Sequence, residues 1–209
     1  MDFHLLYSGP LHSSGSDVQR NEKHAIRKVF HSQLRHLWET HPNLVMMAEG
    51  NGDFGITQQE SEAMPKPELF QRGVEHIARN WHRNGFQFLP LVTKKVCLRC
   101  SLDILFLRAE ERNYVLQGGD IDRRLTILFD ALRIAREASE LPVGAKPAES
   151  ENPFFCLLEN DDLISELHVT TDRLLKLPDD RPMDQHDVYL QITVRLNTTI
   201  KVANCWVFE

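Results

Sequence analysis

Apolar residues recur at helical spacing in three stretches of the chain and alternate or cluster as in strands in five others. Ile26, Val29, Phe30, Leu34, Leu37 and Trp38 mark one face of a helix expected from about Asn21 to His41, with Pro42 just beyond its end. Leu69, Val74, Ile77 and Trp81 mark a second, from Glu68 to Asn84. Ile121, Leu125, Leu128, Phe129 and Leu132 give a third, capped by Asp120 or Asp122 and running to about Glu137. Strands are expected at Phe3–Ser8, Phe86–Leu91, Val96–Leu107, Leu163–Val169 and Val188–Val202, the second and third paired antiparallel. His12–Asp17 and Pro178-Asp179-Asp180 read as polar turns. Residues 43–65 and 138–157 lack a period and read as irregular insertions. The elements predict an α+β fold in one domain, 1–209: a mixed, largely antiparallel sheet with helices packed on one face.

Composition narrows the class. Of 209 residues, 42% are hydrophobic and 26% charged, as in ordinary globular proteins. No apolar run reaches the length of a membrane span. The start, Met1-Asp2-Phe3-His4-Leu5, lacks the basic and apolar regions of a signal peptide, so a cytoplasmic protein is expected. The pair Cys97 and Cys100 sits in a stretch that reads as a strand, where the two side chains face opposite ways. With no second pair to complete a zinc site, these and Cys156 and Cys205 read as core thiols.

The net charge of −6 argues against coating nucleic acid through bulk charge. The charge is uneven, however. Lys23, Arg27 and Lys28 lie on the first helix, on what reads as its polar face. Lys94 and Lys95 precede a strand, and Arg123 and Arg124 begin the third helix.

Two acidic clusters carry the candidate chemistry. Gly118-Gly119-Asp120-Ile121-Asp122 opens the third helix, and Asp161-Asp162 precedes a strand. Gathered carboxylates hold hard divalent cations, and such cations activate water for attack on a phosphodiester. An ordinary helix cap and a solvated turn explain the same residue types. The paired glycines are less readily explained by capping; they suit a tight turn beside a ligand.

The segment Gly119-Asp120-Ile121-Asp122-Arg123-Arg124-Leu125-Thr126, continuing to Asp130-Ala131-Leu132, resembles the signature of the RusA family of Holliday junction resolvases, D-[LI]-D-N-L-x-K followed by an Asp-Ala-Leu-like turn. Asp161-Asp162-Leu163-Ile164 is similar to the family's second acidic step into a strand. The strand ending in Gly9-Pro10, with its Ser-rich loop, is similar to the family's first strand and loop, and the three occur in the same order. The resemblance implies a RusA-like, homodimeric, Mg²⁺-dependent endonuclease (Mn²⁺ as an alternative) that cuts branched DNA. Asp120, Asp122 and Asp162 would be the metal-binding and catalytic acids. Asp161 would be auxiliary and Asp130 structural. Arg123, Arg124, Lys94, Lys95, Lys23 and Arg27 would contact DNA. Arg123 and Arg124 replace the family's Asn and Leu, and Thr126 replaces its Lys. Thr cannot neutralise a phosphate as Lys does, so Arg123, Arg124, Lys94 or Lys95 would have to supply that charge. The alternative is a RusA-like protein that binds DNA or a protein partner without cutting.

Overall fold

The computed structural model describes residues 1–12, 16–50, 62–108, 121–178 and 181–198, with 16–18 as backbone only. Gly118, Gly119, Asp120 and Cys205 therefore lie outside the described residues, as do parts of the His12–Asp17, 43–65 and 178–180 stretches and the expected last strand beyond Thr198.

The chain runs β1 (Asp2–Pro10), α1 (Ser16–Thr40), α2 (Pro42–Glu49), α3 (Lys66–Ala78), β2 (His82–Arg83), β3 (Phe86–Val92), β4 (Leu98–Arg108), α4 (Ile121–Leu132), β5 (Phe154–Leu158), β6 (Ile164–Arg173) and β7 (Asp187–Thr198). The fold is α+β, with two mixed sheets. The larger has the order β1-β7-β4-β6, with β1 and β4 antiparallel to β7 and β6 parallel to β4. The smaller has the order β2-β3-β5, with β5 parallel to β3.

Alternation builds the larger sheet. Leu98, Cys100, Leu102, Ile104 and Phe106 of β4 and Val188, Leu190, Ile192, Val194 and Leu196 of β7 are buried every second residue. Their shared face meets Ile26, Phe30, Leu34 and Trp38 of α1 and Ile127 and Leu128 of α4 in one core. β6, at the edge, is exposed along most of its length. In the smaller sheet, Phe88–Val92 and all of β5 are buried without alternation, as in a parallel pair covered on both faces.

Several boundaries differ from the sequence reading, each for a local reason. Residues 43–49 are not irregular: Pro42 stops α1 and also starts α2, whose Leu44 and Ala48 are buried. α3 packs closely on α2 because Gly73 has no Cβ to strike the Ala48 carbonyl. α3 ends at Ala78 rather than near Asn84. Asn84 and Gly85 have φ of 54° and 80°, the geometry of a two-residue hairpin turn that pulls His82 and Arg83 into β2. β3 and β4 do not pair with each other. The turn between them, with Cys97 at φ 53°, sends the chain from one sheet to the other. Cys97 thus precedes the strand instead of lying in it. α4 stops at Leu132 because Arg133 bridges to Leu158 and the Ile134 N–H donates to the Leu158 carbonyl at 3.0 Å. β5 itself begins inside the stretch 138–157 that reads as irregular and runs one residue past it.

The cysteines among the described residues, Cys97, Cys100 and Cys156, are free thiols. Burial pushes the Cys100 and Cys156 thiols up to about 12, so neither is a nucleophile near neutral pH. Among the described residues no helix is long and apolar enough to cross a membrane.

Candidate functional site

The segment β4–α4–β6 carries the acidic motifs. α4 has a buried face of Arg124, Ile127, Leu128, Ala131 and Leu132, and Asp122 lies exposed in its first turn. Asp161 and Asp162 sit in a 3-10 turn, Asp161–Leu163, that leads into β6. Buried Leu163 anchors that turn in the core, and α4 packs against it. The fold therefore brings the C-terminal end of α4 to the turn of the second motif, where Arg133 bridges to Leu158 and Arg136 pairs with Asp161, while Asp122 lies at the opposite end of that helix, toward Arg108.

A lysine meets the second motif directly. Lys94 Nζ lies 2.6 Å from Asp162 Oδ2. The Lys94 N–H also donates to Glu159 Oε2 at 3.0 Å, and the Glu159 N–H donates to the Val92 carbonyl at 2.9 Å. The β3–β4 turn is thus fastened to the acidic turn at three points. The Lys94 hydrogen bond holds the Asp162 carboxyl below the usual carboxylate range, and Asn160 and the Arg136 charge act in the same direction. Asp162 is ionised at neutral pH and still about half exposed. Asp161 pairs with Arg136 at 2.9 Å. Glu159 went unnoticed in the sequence; its signal is its place three residues before Asp162 in the acidic run Glu159-Asn160-Asp161-Asp162.

Thr126, at the family's Lys position, turns its hydroxyl back onto the Asp122 carbonyl at 2.9 Å. Asp130 is a structural acid. It accepts from Lys23 Nζ at 2.6 Å and from Arg133 at 2.6 Å. Burial alone would raise its pKa, but these two cations outweigh that and lower it.

The basic residues divide. Lys94, Lys95 and Arg123 are exposed. Lys23 is largely covered, its ammonium held by Asp130. Arg27 and Arg124 are not surface cations, contrary to the reading of helix faces from residue type. Arg27 is 1% exposed and donates to the backbone carbonyls of Asp130, Arg133 and Glu140 at 2.7, 3.3 and 3.1 Å. Arg124 is fully buried, yet none of its guanidinium nitrogens has a hydrogen-bond partner. Desolvation and the nearby Arg108 charge lower its pKa, and Glu22 opposes them. Glu22 is itself pushed up by burial, with His12 pulling the other way.

Hard carboxylate oxygens at Asp122 and Asp162 suit a hard divalent cation. Among the described residues no group of three His, Cys, Asp or Glu side chains is assembled as a metal site, and Asp120, a member of the expected set, lies outside those residues. No family model matches the chain, and no curated protein or solved structure matches it either.

Proposed function

We propose that the chain is a RusA-like, Mg²⁺-dependent endonuclease that hydrolyses branched DNA. The observation carrying this reading is the cation set on the second acidic motif: Lys94 Nζ lies 2.6 Å from Asp162 in the turn that leads into β6. Asp120, Asp122 and Asp162 would hold the metal, with Mn²⁺ as a substitute for Mg²⁺. The metal, when bound, supplies the Lewis-acid charge that phosphodiester hydrolysis needs. Asp161 is held off by Arg136 and plays an auxiliary part.

Lys94 takes the role that Thr126 leaves empty. Its ammonium sits on Asp162 in the free protein and turns to a phosphate oxygen when DNA arrives, offsetting charge that builds in the transition state. Arg123 and Lys95 contact the strand outside the acids. Two copies related by a two-fold axis would cut a two-fold junction at paired positions. Binding without cutting is the second reading; it is favoured by the Thr126 hydroxyl being engaged with its own helix backbone.

The test is cleavage of a synthetic four-way junction with Mg²⁺ or Mn²⁺. Wild type is expected to cut, Asp122→Asn to lose more than about 100-fold in rate, and Lys94→Ala to lose about 10²-fold with little change in stability. Tight junction binding with no cutting under either metal would replace the first reading by the second. Absence of salt-dependent DNA binding would end both.

A further inference from the structure

A cavity of about 370 Å³ opens between α1, α2, the end of α3 and the β3–β4 turn. Its size is that of a small-molecule pocket. Met47, Ile77 and Leu91 give it apolar walls, and the two indoles of Trp38 and Trp81 favour a flat ring. Polar groups accompany those walls, His76 and Thr93 among them, and three others suit a nucleotide. The Trp38 indole N–H is buried with no hydrogen-bond partner, a donor left for an acceptor. Asn80 gives its amide N–H to the Ile77 carbonyl at 3.0 Å, and its own oxygen can still accept. Lys95 is exposed at the rim and supplies a positive charge.

A flat ring with donors and acceptors on its edge and an anion attached is a nucleotide. We propose that this cavity takes one unpaired nucleotide of the DNA strand, its base against Trp38 and Trp81 and its phosphate at Lys95. The choice of DNA as the source of that nucleotide rests on the nuclease reading above. A purely apolar ligand would leave the indole N–H unmatched and make no use of Lys95. The β3–β4 turn explains why the site lies where it does. Lys94 of this turn reaches the acidic turn at Asp162, and the adjacent Lys95 reaches the cavity. A strand with one base lodged in the cavity therefore has its neighbouring phosphates led toward the acids. An unpaired base is also the least costly one to lodge, since no stack or pair has to be broken. The pocket would thereby favour branch points over continuous duplex.

The experiment is titration of the full chain with the four deoxynucleoside monophosphates, followed by tryptophan fluorescence, with the nucleosides and inorganic phosphate as separate arms. Saturable quenching by at least one monophosphate is expected, with its nucleoside binding about tenfold more weakly and phosphate alone giving no quenching. Lys95→Glu, at an exposed position, should weaken the monophosphate at least about tenfold without moving the thermal midpoint. Asn80→Ala should change the order of preference among the bases. Absence of saturable quenching by all four, or equal binding by Lys95→Glu, overturns the proposal. Junction cleavage without mononucleotide binding would remove the pocket and leave the nuclease. Mononucleotide binding without metal-dependent cleavage would do the reverse.

Discussion

The two ends of α4 handle charge in opposite ways. Beyond its C-terminal end the charges form a closed network. Asp130 holds Lys23 and Arg133, Arg133 also holds Glu140 at 2.9 Å, and Arg27 donates to three backbone carbonyls where the chain leaves the helix. At its N-terminal end Asp122 faces solvent and Arg124 is buried without one hydrogen bond. Arg27 and Arg124 are the same residue type, on packed helices, at nearly the same exposure. One ties α1 to the segment after α4. The other is a buried cation without a hydrogen bond, whose cost only the nearby Glu22 charge offsets in part.

Breaking the closed end should have the largest effect. Arg27→Met strips three carbonyls of their donor and is expected to destabilise by about 3–5 kcal/mol in urea unfolding. A loss under about 1 kcal/mol would show that the network is ornamental.

A proton placed beside the same network should act next most strongly. His24 packs on Phe86 and Phe154, and burial first, then the charges of Lys28 and Arg27, lower its pKa to about 4. The unfolded chain takes up this proton near pH 6.5 and the folded chain near 4. The associated stability is therefore fully present above about pH 6.5 and is lost as pH falls toward 4, by about 3 kcal/mol. His24→Phe should flatten stability across that window. An unchanged slope between pH 6.5 and 4 would show that other groups carry it.

Opening the contrast from the other side gives the smallest effect and the opposite sign. Arg124→Met puts an apolar side chain of similar length in place of a buried cation without a hydrogen bond. It should stabilise by about 1–3 kcal/mol, read from the same urea midpoint. Destabilisation by that amount would mean that Arg124 is held by a partner and that the two ends are alike.

Much of this contrast was hidden from the sequence. The apolar spacing of α1, α3 and α4 and the alternation in β1, β4 and β7 are legible because each buries one face against a single core. β5 is not, since Phe154–Leu158 is an unbroken apolar run that a parallel strand and a buried loop share. α2 is hidden by Pro42, which ends one helix and begins another. The pairing of β3 with β5 instead of β4 depends on a turn at Cys97 whose left-handed backbone no residue type announces. At the site, Asp122, Asp161 and Asp162 stand out by type and spacing. The contact of Lys94 with Asp162 does not, because 68 residues separate them. Nor does the burial of Arg27 and Arg124, because a basic residue on an amphipathic helix reads as solvated until the packing around it is known.

The proposed nuclease function requires Asp122 and Asp162 to grip the same divalent cation. Calorimetric titration of Mn²⁺ into wild type, Asp122→Asn and Asp162→Asn tests it without any DNA. One site in wild type, weakened more than about 100-fold by either substitution, is the expected result. A site that survives intact when Asp162 is changed, or a wild-type chain that takes up no Mn²⁺, would contradict it.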